Sequence, residues 1–309
     1  MGQRMSFVET ALQFDCQGEK LLGILSSPTG STPPTGDGVI IVVGGPQYRA
    51  GAHRQFVSLA RSLASQGTTV MRFDVRGMGD SSGPLWNFES LTDDIGAAVD
   101  ALLEHAPELK RVVLAGLCDG ASASLIYLHK TQDERVKALC LLNPWLRSEQ
   151  SLARTHVKHY YWQRLASADF WRKLLRGGVG LRALKELFTA ARSALAGSSE
   201  KSDRGGDQIQ QGFRAKMLKA WQGFGGEVFL GISTLDLTAQ EFLGEAAASS
   251  EWRALLTRSR TCRRDFEGAD HTLSQISTQT SFEAEVARWL QSTSTVHRSA
   301  KGTLRGQAA

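Results

Sequence analysis

The chain has 309 residues, of which 41% are hydrophobic and 22% are charged, a composition typical of folded globular domains and not of disordered or fibrous chains. Its longest apolar runs are too short to cross a bilayer and its first residues lack the apolar stretch of a signal peptide, so we expect a cytoplasmic protein. Its four cysteines form no CxxC pair and have no ligand-like spacing to histidines, so we expect no metal site and no cofactor.

The first half of the sequence alternates between predicted strands and predicted helices. Strands are predicted at 12–28 (two, joined by a turn at Gln17 and Gly18), 39–45, 68–77, 111–117 and 136–144, and helices at 53–67, 90–105 and about 120–130. Ser90 is expected to cap the second of these helices. Strands that alternate with helices predict an α/β fold, with a mostly parallel, doubly wound sheet covered by helices on both faces.

The alternation stops at Pro144 and resumes at residue 227, with strands predicted at 227–234 and 261–268 and a helix at 281–291. The intervening segment, 145–226, shows only helical periodicity and carries fifteen Lys and Arg against six Asp and Glu. We interpret it as a basic helical lid inserted into a core formed by 1–144 and 227–291. The polar, aperiodic stretch 292–309 predicts a disordered tail.

A cysteine stands where the predicted strand 111–117 meets the next helix, in the sequence GLCDG. The tight turn of a nucleophile elbow crowds the residues two before and two after the nucleophile, so glycine is needed at both positions. Gly116 and Gly120 meet this need around Cys118. The five letters recur by chance, but their position between a strand and a helix favours a nucleophile over a buried, unreactive thiol. Cys140, in the middle of a strand, is predicted to be a packing residue.

A thiol nucleophile needs a base and an acid that orients the base. His271 follows the last predicted strand, where the base of such an elbow is expected. Asp236, at the end of the strand 227–234, is the preferred acid; Glu241 and Asp270 are the alternatives. The structural alternative for Asp236 is a helix N-cap, because the sequence after it could start a helix.

The oxyanion formed by attack on an acyl group needs two backbone N–H donors. One is expected from Asp119, directly after the cysteine. The other is expected from the loop after the third strand, where Pro46 has no N–H to give, so the donor is predicted to be Gln47 or a shifted backbone group, with Gln47 preferred.

With these residues placed, the chain resembles the α/β-hydrolase superfamily over residues 7–291. The motifs GGPQYRAGAHRQF, GLCDGASAS, LLNPW and DLTAQEF resemble, more narrowly, the exosortase A system-associated hydrolase 1 family. That resemblance implies a bacterial hydrolase whose gene accompanies exopolysaccharide and protein-sorting genes; it does not fix a substrate. With cysteine in place of serine at the elbow, the chain resembles dienelactone hydrolases and polyhydroxyalkanoate synthases.

The sequence thus predicts an acyl hydrolase that acts on an ester, lactone or thioester through Cys118, His271 and Asp236. An acyltransferase with the same three residues and a non-catalytic scaffold on a hydrolase fold are the alternatives. The expected partner is a small-molecule or carrier-bound acyl substrate, and the basic lid is a candidate for peripheral membrane contact. Nucleic acid is not expected, because no binding module is visible. Substrate-binding residues and the oligomeric state are not predicted.

Overall fold

The computed structural model describes residues 7–29, 33–44, 47–146 and 204–305, with the side chains of 204–211 and 295–305 excepted. The chain divides into two compact units, one formed by Met1–Leu146 with Phe213–Ala309 and the other by Arg147–Gly212. Residues 147–203 are not among the described ones, so the predicted lid at 145–226 lies mostly outside the described residues. The strands of the described residues all belong to the first unit.

Eight strands form a single sheet within the described residues. The strands are β1 (Phe7–Cys16), β2 (Glu19–Pro28), β3 (Asp37–Val42), β4 (Thr69–Phe73), β5 (Arg111–Leu117), β6 (Val136–Leu142), β7 (Glu227–Ser233) and β8 (Thr261–Phe266). Their order is β1-β2-β4-β3-β5-β6-β7-β8. The pairs β1–β2 and β2–β4 are antiparallel, and all pairs from β4 to β8 are parallel. The predicted α/β fold with a mostly parallel sheet is confirmed.

Helices cover both faces of this sheet, as the continuous apolar character of β3 and β5 predicts. The helices are α1 (Gln55–Ser65), α2 (Thr92–His105), α3 (Asp119–Thr131), α4 (Arg204–Gly223), α5 (Leu237–Ala248), α6 (Ser250–Leu256) and α7 (Ile276–Arg305). Successive residues of β5 point to opposite faces. Leu114 shares a buried cluster with Ile95 of α2, whereas Val113 shares another with Leu63 of α1 and Trp289 of α7.

Helix α4 shows that the segment from 213 onward belongs to the core unit. Met217 and Trp221 of this helix are almost fully buried in the same apolar cluster as the helices α2 and α3. Phe213 stacks on Trp145, with ring centroids 5.4 Å apart. The described end of the predicted lid is therefore a core helix, which the basic composition of the segment concealed.

Ser90 does not cap helix α2, so this prediction is wrong. The chain first makes a 3-10 turn at Phe88–Ser90, and α2 begins only at Thr92. The preceding residue, Leu91, has no side chain that can accept from the helix N–H groups. Ser90 instead donates its hydroxyl hydrogen to Asn87 Oδ1 at 3.1 Å.

The predicted disordered tail is helical as far as Arg305, because α7 continues past residue 291. A buried ion pair anchors this continuation: Arg111 Nε donates to Asp37 Oδ1 at 2.5 Å. The same guanidinium donates to the hydroxyls of Thr293 and Ser294, both at 2.9 Å. Thr293 and Ser294 therefore contact a charged partner, so the polar composition of this stretch did not mean that all of it faces solvent.

We expect the ion pairs of Glu9, in β1, to lose their contribution to stability at low pH. Burial acts to raise its pKa, but hydrogen bonds from Arg61 and Arg72 lower that pKa to about 2. A carboxylate whose pKa is lower in the folded state stabilises it above the unfolded pKa, about 4.3, and loses this contribution as the pH falls toward the folded pKa. We expect Glu9→Gln to lower the free energy of unfolding by about 2–3 kcal/mol at pH 7, and the difference from the native chain to shrink steadily between pH 5 and pH 2. Urea unfolding at several pH values measures it.

The matched control is Glu104→Gln, at an exposed position of α2, for which we expect a change within about 0.5 kcal/mol at every pH. A Glu9→Gln deficit that persists undiminished at pH 2 would contradict the assignment.

Candidate active site

Cys118 forms the corner between β5 and α3, where the sequence predicts an elbow. Its backbone has φ 55° and ψ −117°, a conformation that costs free energy in a residue with a Cβ atom. The flanking glycines permit the close approach of the chain on both sides. A Cβ at Gly116 would lie 2.3 Å from the carbonyl carbon of Gly120, and a Cβ at Gly120 would lie 2.2 Å from the Val42 oxygen. The sequence GLCDG thus folds into the predicted strand-to-helix turn.

His271 and Asp236 lie in the loops after β8 and β7 and are hydrogen-bonded, with 2.9 Å between His271 Nδ1 and Asp236 Oδ2. A carboxylate can only accept, so Nδ1 carries the hydrogen of this bond. In the neutral imidazole, Nε2 is then the free acceptor. The base and the acid predicted from the sequence are therefore brought together, with the ring in the tautomer that can accept a proton at Nε2.

Asp236 also caps helix α5, so the catalytic and the capping interpretations of this residue are compatible. Its Oδ1 accepts from the N–H of Thr238 at 3.1 Å and its Oδ2 from that of Ala239 at 3.2 Å. Only 5% of the residue is exposed. The start of the helix thus fixes the carboxylate against the imidazole.

The two alternative acids lie at other positions in the loop and the helix. Asp270 Oδ1 accepts from the backbone N–H of Thr272 and of Ser274, at 3.2 Å and 2.9 Å, and so shapes the loop that carries His271. Glu241 lies within α5 and is buried. The preference for Asp236 over both agrees with the observed hydrogen bond to the imidazole.

Asn143, to which the sequence pattern gave no role, ties the loops together at the end of β6. Its backbone has φ 47°, and its amide is fully buried. The Ser233 N–H donates to Asn143 Oδ1 at 2.8 Å, and Asn143 Nδ2 donates to the Ser233 hydroxyl at 3.0 Å and to the His271 carbonyl at 3.4 Å. The signal for it was an asparagine between a buried strand and Pro144, a position that favours a turn.

The Cys118 thiol is hydrogen-bonded to its neighbour. Its Sγ donates to Asp119 Oδ1 at 3.3 Å, and among the described residues no hydrogen bond joins it to His271. Burial raises the pKa of the thiol most, and the carboxylate of Asp119 raises it further. The hydrogen bond from His271 to Asp236 is the largest influence on the imidazole and raises its pKa. Burial opposes this rise, and the charge of Asp119 adds to it.

The predicted oxyanion donors are Asp119, within the elbow, and Gln47, in the loop after β3. Asp119 is the first residue of α3, so its N–H has no acceptor within the helix. Gly44 passes directly against the elbow, because a Cβ there would lie 2.2 Å from the Gly120 nitrogen. Gln47, three residues after Gly44, is half-buried. Pro46, with its missing N–H, lies outside the described residues.

An ion-pair cluster that the sequence pattern did not reveal holds the loop after Gln47. Asp74, fully buried, accepts from the Arg49 backbone N–H at 2.6 Å and pairs with the Arg49 guanidinium. The same guanidinium donates to Asp80 at 2.6 Å. The glycine-rich loop DVRGMGDSSG therefore supplies carboxylates that hold Arg49, in the loop predicted to carry an oxyanion donor.

Residues 36–198 match the family model for the serine aminopeptidase S33 hydrolases. This is more than half of the chain and includes the elbow. The chain belongs to the serine aminopeptidase S33 family. The family is named for a serine nucleophile, whereas this S33 member has cysteine at the elbow position. No curated protein matches the chain significantly.

Solved structures agree with this assignment at the level of the fold. The Pyrococcus furiosus esterase Pf2001 has a TM-score of 0.61 and 16% identity, over 94% of this chain and 92% of that one. Est1E from Butyrivibrio proteoclasticus, solved with ferulic acid, has a TM-score of 0.59 and 16% identity, over 92% and 99% of the two chains. A serine hydrolase without a lid from Xanthomonas campestris has a TM-score of 0.53 and 15% identity, over 91% and 94%. Together they show an α/β-hydrolase fold.

Neither a metal-binding cluster nor a membrane-spanning helix occurs among the described residues. Within them, no group of three or more His, Cys, Asp or Glu side chains could hold a metal ion. In the same part of the chain, no helix has the length and apolarity needed to span a bilayer.

Proposed function

We propose that this S33-family hydrolase is a cysteine-dependent acyl hydrolase that cleaves an ester, lactone or thioester. The hydrogen bond between His271 Nδ1 and Asp236 Oδ2 is the observation that carries the proposal. The strands β5, β7 and β8 lie in the parallel part of the sheet, so their carboxyl ends meet at one edge. This edge carries the Cys118 elbow as well as the imidazole and its carboxylate, which is the arrangement that nucleophilic acyl transfer requires.

The proposed reaction transfers a proton and an acyl group in two stages. His271 Nε2 takes the thiol proton as Cys118 Sγ attacks the acyl carbon, and the N–H groups of Asp119 and Gln47 stabilise the oxyanion. The bond to the leaving oxygen or sulfur breaks, and the imidazolium returns its proton to that atom. Water, deprotonated by the same imidazole, then attacks the thioester carbonyl, the carbon–sulfur bond breaks, and the imidazolium returns the proton to Cys118 Sγ.

Cys118 enters this cycle as a thiol, because burial and the Asp119 carboxylate raise its pKa and disfavour the thiolate. General-base transfer to His271 at the moment of attack avoids a free thiolate. A thiolate is a better leaving group than an alkoxide, so attack on an unactivated ester tends to revert. Lactones, aryl esters and thioesters are therefore the favoured substrates.

The loops at the same edge favour an apolar acyl donor. Tyr48, Trp86 and Leu235 are 51%, 47% and 66% exposed, and they follow the carboxyl ends of β3, β4 and β7. Exposed apolar side chains in loops that follow the carboxyl ends of the strands favour contact with an apolar part of the substrate. This supports a hydrocarbon or aromatic group on the acyl donor.

The cellular setting is also a proposal. The motifs shared with the exosortase A system-associated hydrolase 1 family support a bacterial, cytoplasmic enzyme that serves exopolysaccharide production or protein sorting. The basic composition of 145–226 supports contact with an anionic acyl carrier or membrane surface.

Trapping of the acyl-enzyme tests the function. The full chain is mixed with a p-nitrophenyl ester or an acyl thioester, quenched in acid and digested for mass spectrometry. We expect one acyl mass on the peptide that contains Cys118, removable by neutral hydroxylamine, and none on Cys262, which is also partly buried. Repeating the reaction with an added alcohol or thiol acceptor separates hydrolysis from acyl transfer. Turnover that leaves Cys118 unacylated at every quench time, with the acyl group on another residue, would overturn the proposal.

A further inference from the structure

The carboxylate of Asp119 touches the reacting sulfur. Its Oδ1 accepts the hydrogen bond from Cys118 Sγ at 3.3 Å, and the two residues are adjacent at the start of α3. A thiol is a weak donor, and an ionised acceptor strengthens the bonds that a donor makes. The proposed mechanism uses only the backbone N–H of Asp119, so its side chain has no part in that reaction.

The side chain and the backbone of Asp119 have opposite effects on the sulfur. Burial raises the pKa of the Cys118 thiol most. The Asp119 carboxylate raises that pKa further, both through its charge and as an acceptor that requires the thiol hydrogen, whereas the Asp119 backbone N–H lowers it, and the charge of Asp236 adds to the rise. Any thiolate at Cys118 would face this negative charge at hydrogen-bond distance in a partly buried site. Deprotonation therefore needs a proton acceptor that competes with Asp119.

We propose that Asp119 holds the Cys118 thiol protonated in the free protein, and that the proton passes to His271 only when an acyl group occupies the site. This inference rests on the proposed function, because it assigns the Asp119 carboxylate a part in the same reaction. In the step itself, the S–H bond breaks, the proton goes to His271 Nε2 and the sulfur electron pair forms the bond to the acyl carbon. Asp119 loses its hydrogen-bond donor and gains no proton.

A consequence is selectivity between kinds of electrophile. Reagents such as iodoacetamide react with preformed thiolate, which Asp119 disfavours. An acyl group bound between His271 and the oxyanion donors reacts through assisted proton transfer and does not need preformed thiolate. The carboxylate thus protects the nucleophile from solution alkylation without removing its route to acylation.

The test is the alkylation rate of Cys118 in the full chain, which does not depend on turnover. Iodoacetamide labelling between pH 6 and pH 10, resolved by peptide mass spectrometry, is compared between the native protein and Asp119→Asn. The amide has the same shape without the charge, so we expect labelling at pH 8 to be about tenfold faster or more, the effect of lowering the thiol pKa by one unit. Asp119→Glu, which keeps the charge, should stay within about threefold of native.

Two controls keep the result interpretable. Like Asp119, Asp270 is a carboxylate that raises the pKa of His271, but its hydrogen bond is to Ser274 and not to Cys118. For Asp270→Asn we therefore expect labelling of Cys118 within twofold of native. Cys140 is buried within β6, so labelling of Cys140 would report unfolding of the variant. If Asp119→Asn unfolds by this criterion, Asp119→Ser is used as the second neutral variant.

An unchanged or slower rate in both neutral variants would overturn the inference, as would an equal acceleration in Asp270→Asn. Failure of the proposed function looks different: the native protein would then form no acyl-cysteine with any acyl donor, whatever the alkylation rates are.

Discussion

Cys118→Ala should reduce turnover of activated esters and thioesters by about 10³-fold or more, because removal of the nucleophile leaves only binding and the oxyanion donors to act on the substrate. Alanine has the same backbone restrictions as cysteine at φ 55°, so the elbow carries the same strain in both chains. The measurement is initial rates of p-nitrophenyl ester and acyl-thioester hydrolysis, with urea unfolding of each protein alongside.

Cys262→Ala is the matched control, since Cys262 is also a partly buried free thiol but lies in β8, away from the elbow. We expect its rates to stay within about twofold of native. Hydrolysis by Cys118→Ala at near-native rates would show that the sulfur is not the nucleophile, and would leave the scaffold interpretation of the fold in place.

The reactive centre was largely predictable because its constraints are local. The turn at Cys118 needs glycine two residues before and two residues after the cysteine, so five consecutive residues are enough to recognise it. His271 and Asp236 were predictable for a second reason: parallel strands end at one edge of a sheet, so residues after consecutive strands converge there. The alternation of strands and helices predicted this edge for both residues, and the known order of nucleophile, acid and base along such chains selected them, with Glu241 and Asp270 left as alternative acids.

What the sequence could not reveal depends on partners distant along the chain. Arg49 and Asp74 are twenty-five residues apart, and neither lies in a pattern that indicates an ion pair. The helix that continues past residue 291 depends on Arg111, which lies about 180 residues earlier. Ser90 was misassigned because a 3-10 turn shifts the start of a helix without changing its composition.

The cysteine changes the chemistry of the S33 site more than its geometry. A serine hydroxyl and a cysteine thiol both need the imidazole, yet most cysteine nucleophiles are activated by positive surroundings that favour the thiolate. Here burial and Asp119 raise the thiol pKa and disfavour the thiolate. In the proposed mechanism the site therefore activates a thiol in the manner of a serine, which is consistent with a cysteine placed within a serine-hydrolase framework.

Asp236→Ser should separate the two roles of this carboxylate. Serine is a good N-cap, so it can still accept from the first N–H groups of α5, but its side chain is too short to reach His271 Nδ1. Without the carboxylate, the imidazole loses its orientation and its defined tautomer, and we expect kcat to fall by about 10²–10⁴-fold. The pKa of His271 should also fall, because the bond to Asp236 is the main cause of its rise. Neutral His271 is the active base, so the acidic limb of the pH–rate profile should move to lower pH.

Asp236→Ala completes the comparison, because it removes the cap as well as the bond to the imidazole. The two variants should lose equal activity, while alanine should cost about 0.5–2 kcal/mol more in the free energy of unfolding than serine, the contribution of the cap. Rates across pH 5–9 and urea unfolding of both proteins measure the two effects. If serine retained near-native turnover and an unshifted pH profile, Asp236 would be only a helix cap, and the orientation of His271 would have to come from the loop that Asn143 and Asp270 hold.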